Sequence, residues 1–155
     1  MSPANFLSRV IEPGLALLPS YMVSDEARVL LMATAGQESG LSVRKQAGGP
    51  ARGYWQFEPA GVSGVSASNG ASFLQGVCAT LDVRWADVST AIEYNDPLAC
   101  VVARLCLWAD PAPLPAIGNK SGAWSYYMNA WRPGKPAPSR WDVAYATALS
   151  VVRAQ

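Results

Sequence analysis

A chain of 155 residues, half of them apolar, can fill one hydrophobic core, and one domain is expected over residues 1–155. Twelve Lys and Arg against 11 Asp and Glu leave a net charge of +1, which excludes a broad field for nucleic acid or a membrane surface. There is no histidine, so His-dependent triads and zinc hydrolase sites are excluded, and acid–base chemistry falls to carboxylates, Tyr or Lys.

The chain opens with Ser2 as an N-cap and Pro3 at the first helical position. Phe6, Leu7, Val10 and Ile11 form an apolar stripe that ends before Pro13-Gly14. Leu15, Leu17 and Leu18 add a further turn before Pro19. This segment reads as neither a signal peptide nor a spanning helix, so a target beyond a membrane requires another means of delivery.

The next helix begins at Ser24, with Asp25 and Glu26 in the first turn where the helix dipole favours anions, and stops at Gly40. Ala27, Leu30, Leu31, Thr34, Ala35 and Glu38 share one side of it, which makes Glu38 a continuation of the inward stripe. Desolvation and the negative helix end both oppose ionisation there, so a raised pKa is expected. Position alone leaves open a second reading, in which Glu38 points into solvent or caps a loop.

Residues 43–59 carry Arg44, Lys45, Gly48, Gly49, Pro50, Arg52 and Gly53, followed by Tyr54, Trp55, Gln56, Phe57 and Glu58, a turn able to fold back over the helix end. Tyr54 and Trp55 offer faces for stacking on sugar rings. Gln56 offers a donor and an acceptor to an acetamido group, and the alternative is an aromatic plug of the core. Residues 60–70 are rich in Gly and Ser and read as a mobile loop.

Phe73, Leu74, Val77, Cys78 and Leu81 give a helical stripe, with a short helix from Val88 to Tyr94; Asp82, Asp87 and Glu93 read as solvated charges. Asp96-Pro97 reads as a cap plus first-turn proline, and Leu98, Val101, Val102, Leu105 and Ala109 mark the most apolar helix, expected at the centre. Cys78, Cys100 and Cys106 are odd in number and apolar in setting, which suits reduced thiols; neither a metal nor a cofactor is expected.

A Pro-rich crossing leads to a helix over residues 119–131, where Trp124, Tyr127 and Trp131 share a face fit for either core or cleft. Ser139 starts the last helix, with Trp141, Ala144, Tyr145, Ala148 and Val152 at helical spacing. No stretch alternates at strand period over a useful length, so the expected fold is an all-α domain of about six to eight helices.

Three pieces in this order resemble the lytic transglycosylase and goose-type lysozyme group of the lysozyme superfamily. They are Glu38-Ser39 at a helix end, the segment Ala51 to Pro59 around Gln56, and Tyr126-Tyr127-Met128-Asn129-Ala130. The departures are Tyr54 and Trp55 in place of Leu and Met, Met128 in place of the Tyr before Asn, and Trp131 in place of Gly. The wider style of the chain, QESG, PARGYWQFE and WRPGKP, is similar to small bacteriophage lysozyme-like proteins.

The resemblance implies a lysozyme-like fold and cleavage of the β-1,4 bond between N-acetylmuramic acid and N-acetylglucosamine, with a peptidoglycan strand as partner. Glu38 would be general acid and then base. Ser39, Tyr54, Trp55, Gln56, Glu58, Tyr127 and Asn129 would line the sugar site. Glu58 is the acidic residue available as a second carboxylate, or else a salt-bridge partner of Arg52.

A phage setting implies a virion component among other virion proteins, or a lysis enzyme in the host cytoplasm delivered by a holin or tail. The competing readings are a non-catalytic virion or tail component that binds glycan, and a helical interaction protein whose aromatic face near Tyr127 is a docking surface.

Overall fold

Short-range signals set most helix ends in the computed structural model, which describes Met1–Gln155. Helix α1, Pro3–Phe6, starts on Ser2, whose Oγ accepts from the Asn5 N–H at 3.3 Å. It passes through a π-helical turn at Leu7–Ile11 into α2, Glu12–Leu15, rather than stopping before Pro13. A proline removes one donor and presses on the carbonyl four residues back. The wider turn just before it, with the Glu12 N–H on the Leu7 carbonyl, carries the helix past that obstacle.

Helix α3, Asp25–Ser39, is capped by Ser24, whose Oγ accepts from the Ala27 N–H at 3.2 Å, and ends at Gly40 in the left-handed region. Arg28 ties it to α2 through Nε–H to Glu12 Oε1 at 2.7 Å and Nη2–H to Oε2 at 3.2 Å. Of residues 60–70, expected as a loop from their Gly and Ser content, 60–66 are helical and only 67–70 form a turn. Pro59 opens helix α4, Pro59–Ser66, because Val62 and Val65 lie three apart and bury one face.

Helix α5, Ala71–Thr80, and the single turn α6, Val88–Ala91, follow the expected stripes. Helix α7, Asp96–Trp108, is the most buried, and α2, α3, α4, α5 and α8, Lys120–Trp131, all pack on it. Its cap is Asn95 rather than Asp96: Asn95 Oδ1 accepts from the Leu98 N–H at 3.0 Å, and Asp96 is released to pair elsewhere. Gly14 lets α2 approach α7 closely, since a Cβ there would lie 2.4 Å from Cys100 Cβ.

The last helix, α9, Pro138–Arg153, lies along α3, where a Cβ on Gly36 would meet Ala144 Cβ at 2.9 Å. With α1, the π turn and α2 taken as one run, the chain has eight helices and no strand, and one continuous apolar core joins them. All three cysteines are free. No helix is long and apolar enough to cross a membrane.

Candidate active site

The end of α3, the 43–58 loop, α4, the end of α7, α8 and the 132–140 segment enclose a cleft of about 1180 Å³. Gln37 and Glu38 enter it from α3, Gln56 and Glu58 from the loop, Asp110 from beyond α7, and Tyr127 and Asn129 from α8. Glu38 is half-buried at its wall. The Tyr127 hydroxyl donates to Glu38 Oε1 at 2.6 Å, and Glu38 Oε2 has no partner in the protein.

Burial pushes the Glu38 carboxyl above its ordinary range, against the smaller opposing effects of the Tyr127 hydrogen bond and the Arg140 charge. Tyr127 moves the same way, through burial and the carboxyl beside it, so its phenol keeps its proton and remains a donor. Behind the pair, Tyr127 stacks on Trp141 with ring centroids 4.8 Å apart, and Trp141 stacks on Tyr145 at 6.2 Å. The aromatic face of α8 therefore divides. Tyr127 is held by the core and offers its hydroxyl, while Trp131 reaches the cleft and meets Phe57 at 5.0 Å.

The loop that carries Gln56 is pinned at several points. Arg44 forms a forked pair with Asp96, Nε to Oδ1 at 2.9 Å and Nη2 to Oδ2 at 2.6 Å. Arg52 and Phe57 exchange both backbone hydrogen bonds at 2.9 Å, and the Gly53 N–H reaches the Arg44 carbonyl at 2.8 Å. Arg52 pairs with Glu93, not with Glu58, and the nearly buried Glu93 is thereby an anchor rather than a solvated charge. Glu58 is left exposed on the cleft without an ion pair.

Several expected site residues lie elsewhere or act differently. Trp55 is fully buried and donates its Nε1–H to the Leu31 carbonyl at 2.9 Å, and Tyr54 packs edge-on against Phe6 at 5.0 Å, so neither presents a face to a sugar. Ser39 turns its hydroxyl back to the Ala35 carbonyl at 3.0 Å and is also outside the cleft. Gln56, at φ 49°, commits its Nε2 to the Gly53 carbonyl at 2.7 Å and the Val43 carbonyl at 3.3 Å, which leaves the amide oxygen as its free group. Asn129 Nδ2 donates to Asp110 Oδ2, which likewise leaves its oxygen free.

Sequence reasoning missed Gln37, Arg140 and the cations beside them. Gln37 Nε2 donates to the Ala137 carbonyl at 3.2 Å, and Arg140 Nη1 donates to the Gln37 carbonyl at 3.0 Å, so the start of α9 clamps the end of α3 that carries Glu38. These partners are about a hundred residues apart, beyond the reach of any local pattern. The available signal was the run from Arg132 to Arg140, which holds three basic residues and no acidic one. Comparison with known proteins gives no match to a family model, to a curated protein or to a solved structure.

Proposed function

We propose that this protein is a peptidoglycan-cleaving glycosidase, a lytic transglycosylase or a muramidase, with Glu38 as its general acid and base. The observation that carries the reading is one carboxyl, half-buried at a cleft wall and held by the Tyr127 hydroxyl at 2.6 Å. A carboxyl whose hold on its proton is strengthened by burial suits acid-assisted departure of a sugar oxygen. Further support comes from the order of motifs, which resembles the lysozyme superfamily.

In this reading Tyr127 occupies Oε1, so the proton rides on Oε2, the oxygen without a protein partner. That oxygen donates it to the glycosidic oxygen as the bond from the anomeric carbon breaks, and the electron pair leaves with the departing sugar. The carboxylate then takes a proton from the attacking hydroxyl, which is either water or the sugar's own 6-hydroxyl. The substrate's acetamido group supports the cationic carbon, so a second protein carboxylate is not required, while Gln56 and Asn129 offer oxygens to sugar N–H and O–H groups.

Mass spectrometry of fragments released from purified cell walls tests the proposal and names the product. An anhydro end differs from a reducing end by one water, and either supports the enzyme. Binding to walls with no released fragment would replace it with the glycan-binding virion component.

A further inference from the structure

If the glycosidase reading holds, the charge along the cleft wall decides which glycan enters. Arg132, Lys135 and Arg140 all line the cleft, and none of them forms an ion pair; outside it Arg28, Arg44, Arg52, Arg84 and Lys120 each meet a carboxylate, while Arg9, Lys45, Arg104 and Arg153 do not. From Pro111 to Trp141 the sequence contains no acidic residue, so nothing on this stretch neutralises them. The acidic groups of the cleft, Glu38, Glu58 and Asp110, come from other elements; Glu38 feels the Arg140 charge and accepts from Tyr127, and Asp110 is already engaged by Asn129 and by the Ala112 N–H at 2.8 Å.

Arg132 also stands where a side chain is disfavoured. It ends α8 at φ 49°, in the left-handed region that glycine or asparagine enters at less cost. Its Nε meets only the Asn129 carbonyl at 3.4 Å, a long contact that leaves the rest of the guanidinium uncommitted. Arg140 differs, because its Nη1 also holds the end of α3. Guanidinium and ammonium groups on one cleft wall suit a carboxylate, which accepts a forked pair from the first and a point charge from the second.

We propose that the cleft wall formed by Arg132, Lys135 and Arg140 binds a carboxylate borne on the glycan strand, and that the protein thereby favours carboxylated strands over neutral N-acetylglucosamine polymers. Two sources share this chemistry, the carboxylate of an unsubstituted lactyl ether and the carboxylates of attached peptides.

The test measures affinity of full-length Glu38→Gln protein, which binds without turnover, for three probes. These are a neutral N-acetylglucosamine hexamer, glycan strands stripped of peptide by an amidase, and peptide-bearing strands. Added Arg132→Asn and Lys135→Gln changes, the first chosen because Asn tolerates the left-handed backbone, are expected to weaken binding of carboxylated strands roughly three- to tenfold. Binding of the neutral hexamer should stay unchanged. Stripped strands that match peptide-bearing ones assign the lactyl carboxylate; stripped strands that match the hexamer assign the peptide.

Equal loss on all three probes, or no loss on any, overturns the proposal. Lys135→Glu alone, at an exposed position, provides the same comparison if the double change impairs folding. Cell-wall cleavage that does not depend on Glu38 would overturn the catalytic reading while leaving this charge preference standing, so the two fail separately.

Discussion

Tyr127→Phe removes one hydroxyl from the site and leaves the ring stacked on Trp141 at 4.8 Å and 23°. What is lost is the 2.6 Å hydrogen bond to Glu38 Oε1. A hydrogen bond to a neutral acceptor contributes about 0.5–1.5 kcal/mol and one to an ionised acceptor about 1.5–3 kcal/mol, so the cost of the change depends on the charge of Glu38. Because the folded pKa of Glu38 lies above its ordinary value near 4.5, its contribution to stability is complete below that value and is lost as pH rises through the folded one.

The Tyr127 hydroxyl lessens that loss by stabilising the ionised form, so the variant must lose stability more steeply with pH than the parent. Urea unfolding at several pH values between 3 and 9 reads the difference directly. The gap is expected to be about 1 kcal/mol in acid and to widen by roughly a further 1 kcal/mol once Glu38 ionises. Cell-wall clearing should lose its activity at a higher pH in the variant, since the acid keeps its proton longer. A stability gap that is flat or narrows with pH would show that Tyr127 does not donate to an ionisable Glu38.

Three further outcomes follow from the fold. Gly14→Ala forces a methyl to within 2.4 Å of Cys100 Cβ and should cost about 1–3 kcal/mol, read as a lower midpoint in thermal unfolding; an unchanged midpoint would contradict the close α2–α7 approach. Gly40→Ala places a side chain at φ 61° and should cost about 1 kcal/mol, and a stabilised protein would mean that α3 ends differently. Arg44→Lys gives up the fork to Asp96 on a half-exposed side chain, so global stability should fall by less than about 1 kcal/mol. Protease nicking within residues 43–57 should accelerate clearly, and unaltered nicking would deny that the pair pins the loop.

Much of the helical frame was legible because its signals are local. Ser24 and Gly40 bound α3 through one hydrogen bond and one backbone angle, and the same periodicity that buries Leu31 and Ala35 carries Glu38 to the cleft edge. The misreadings have a common cause, which is that short patterns do not say what lies opposite. Tyr54 and Trp55 are as suited to a core as to a sugar, and Phe6 and Leu31, distant in sequence, decide for the core. Glu93 looked solvated until Arg52 was placed beside it, and Asp96 looked like a cap until Asn95 took that role and Arg44 took Asp96. Small residues hid α4, whose two buried valines were the usable sign.

The measurement closest to the central claim compares wild-type protein with Glu38→Gln in the release of soluble glycan fragments from purified cell walls, at matched folding. Loss of the proposed general acid is expected to slow release by about 10²–10⁴-fold while binding to the walls persists. Release by the variant at the parental rate would contradict the account.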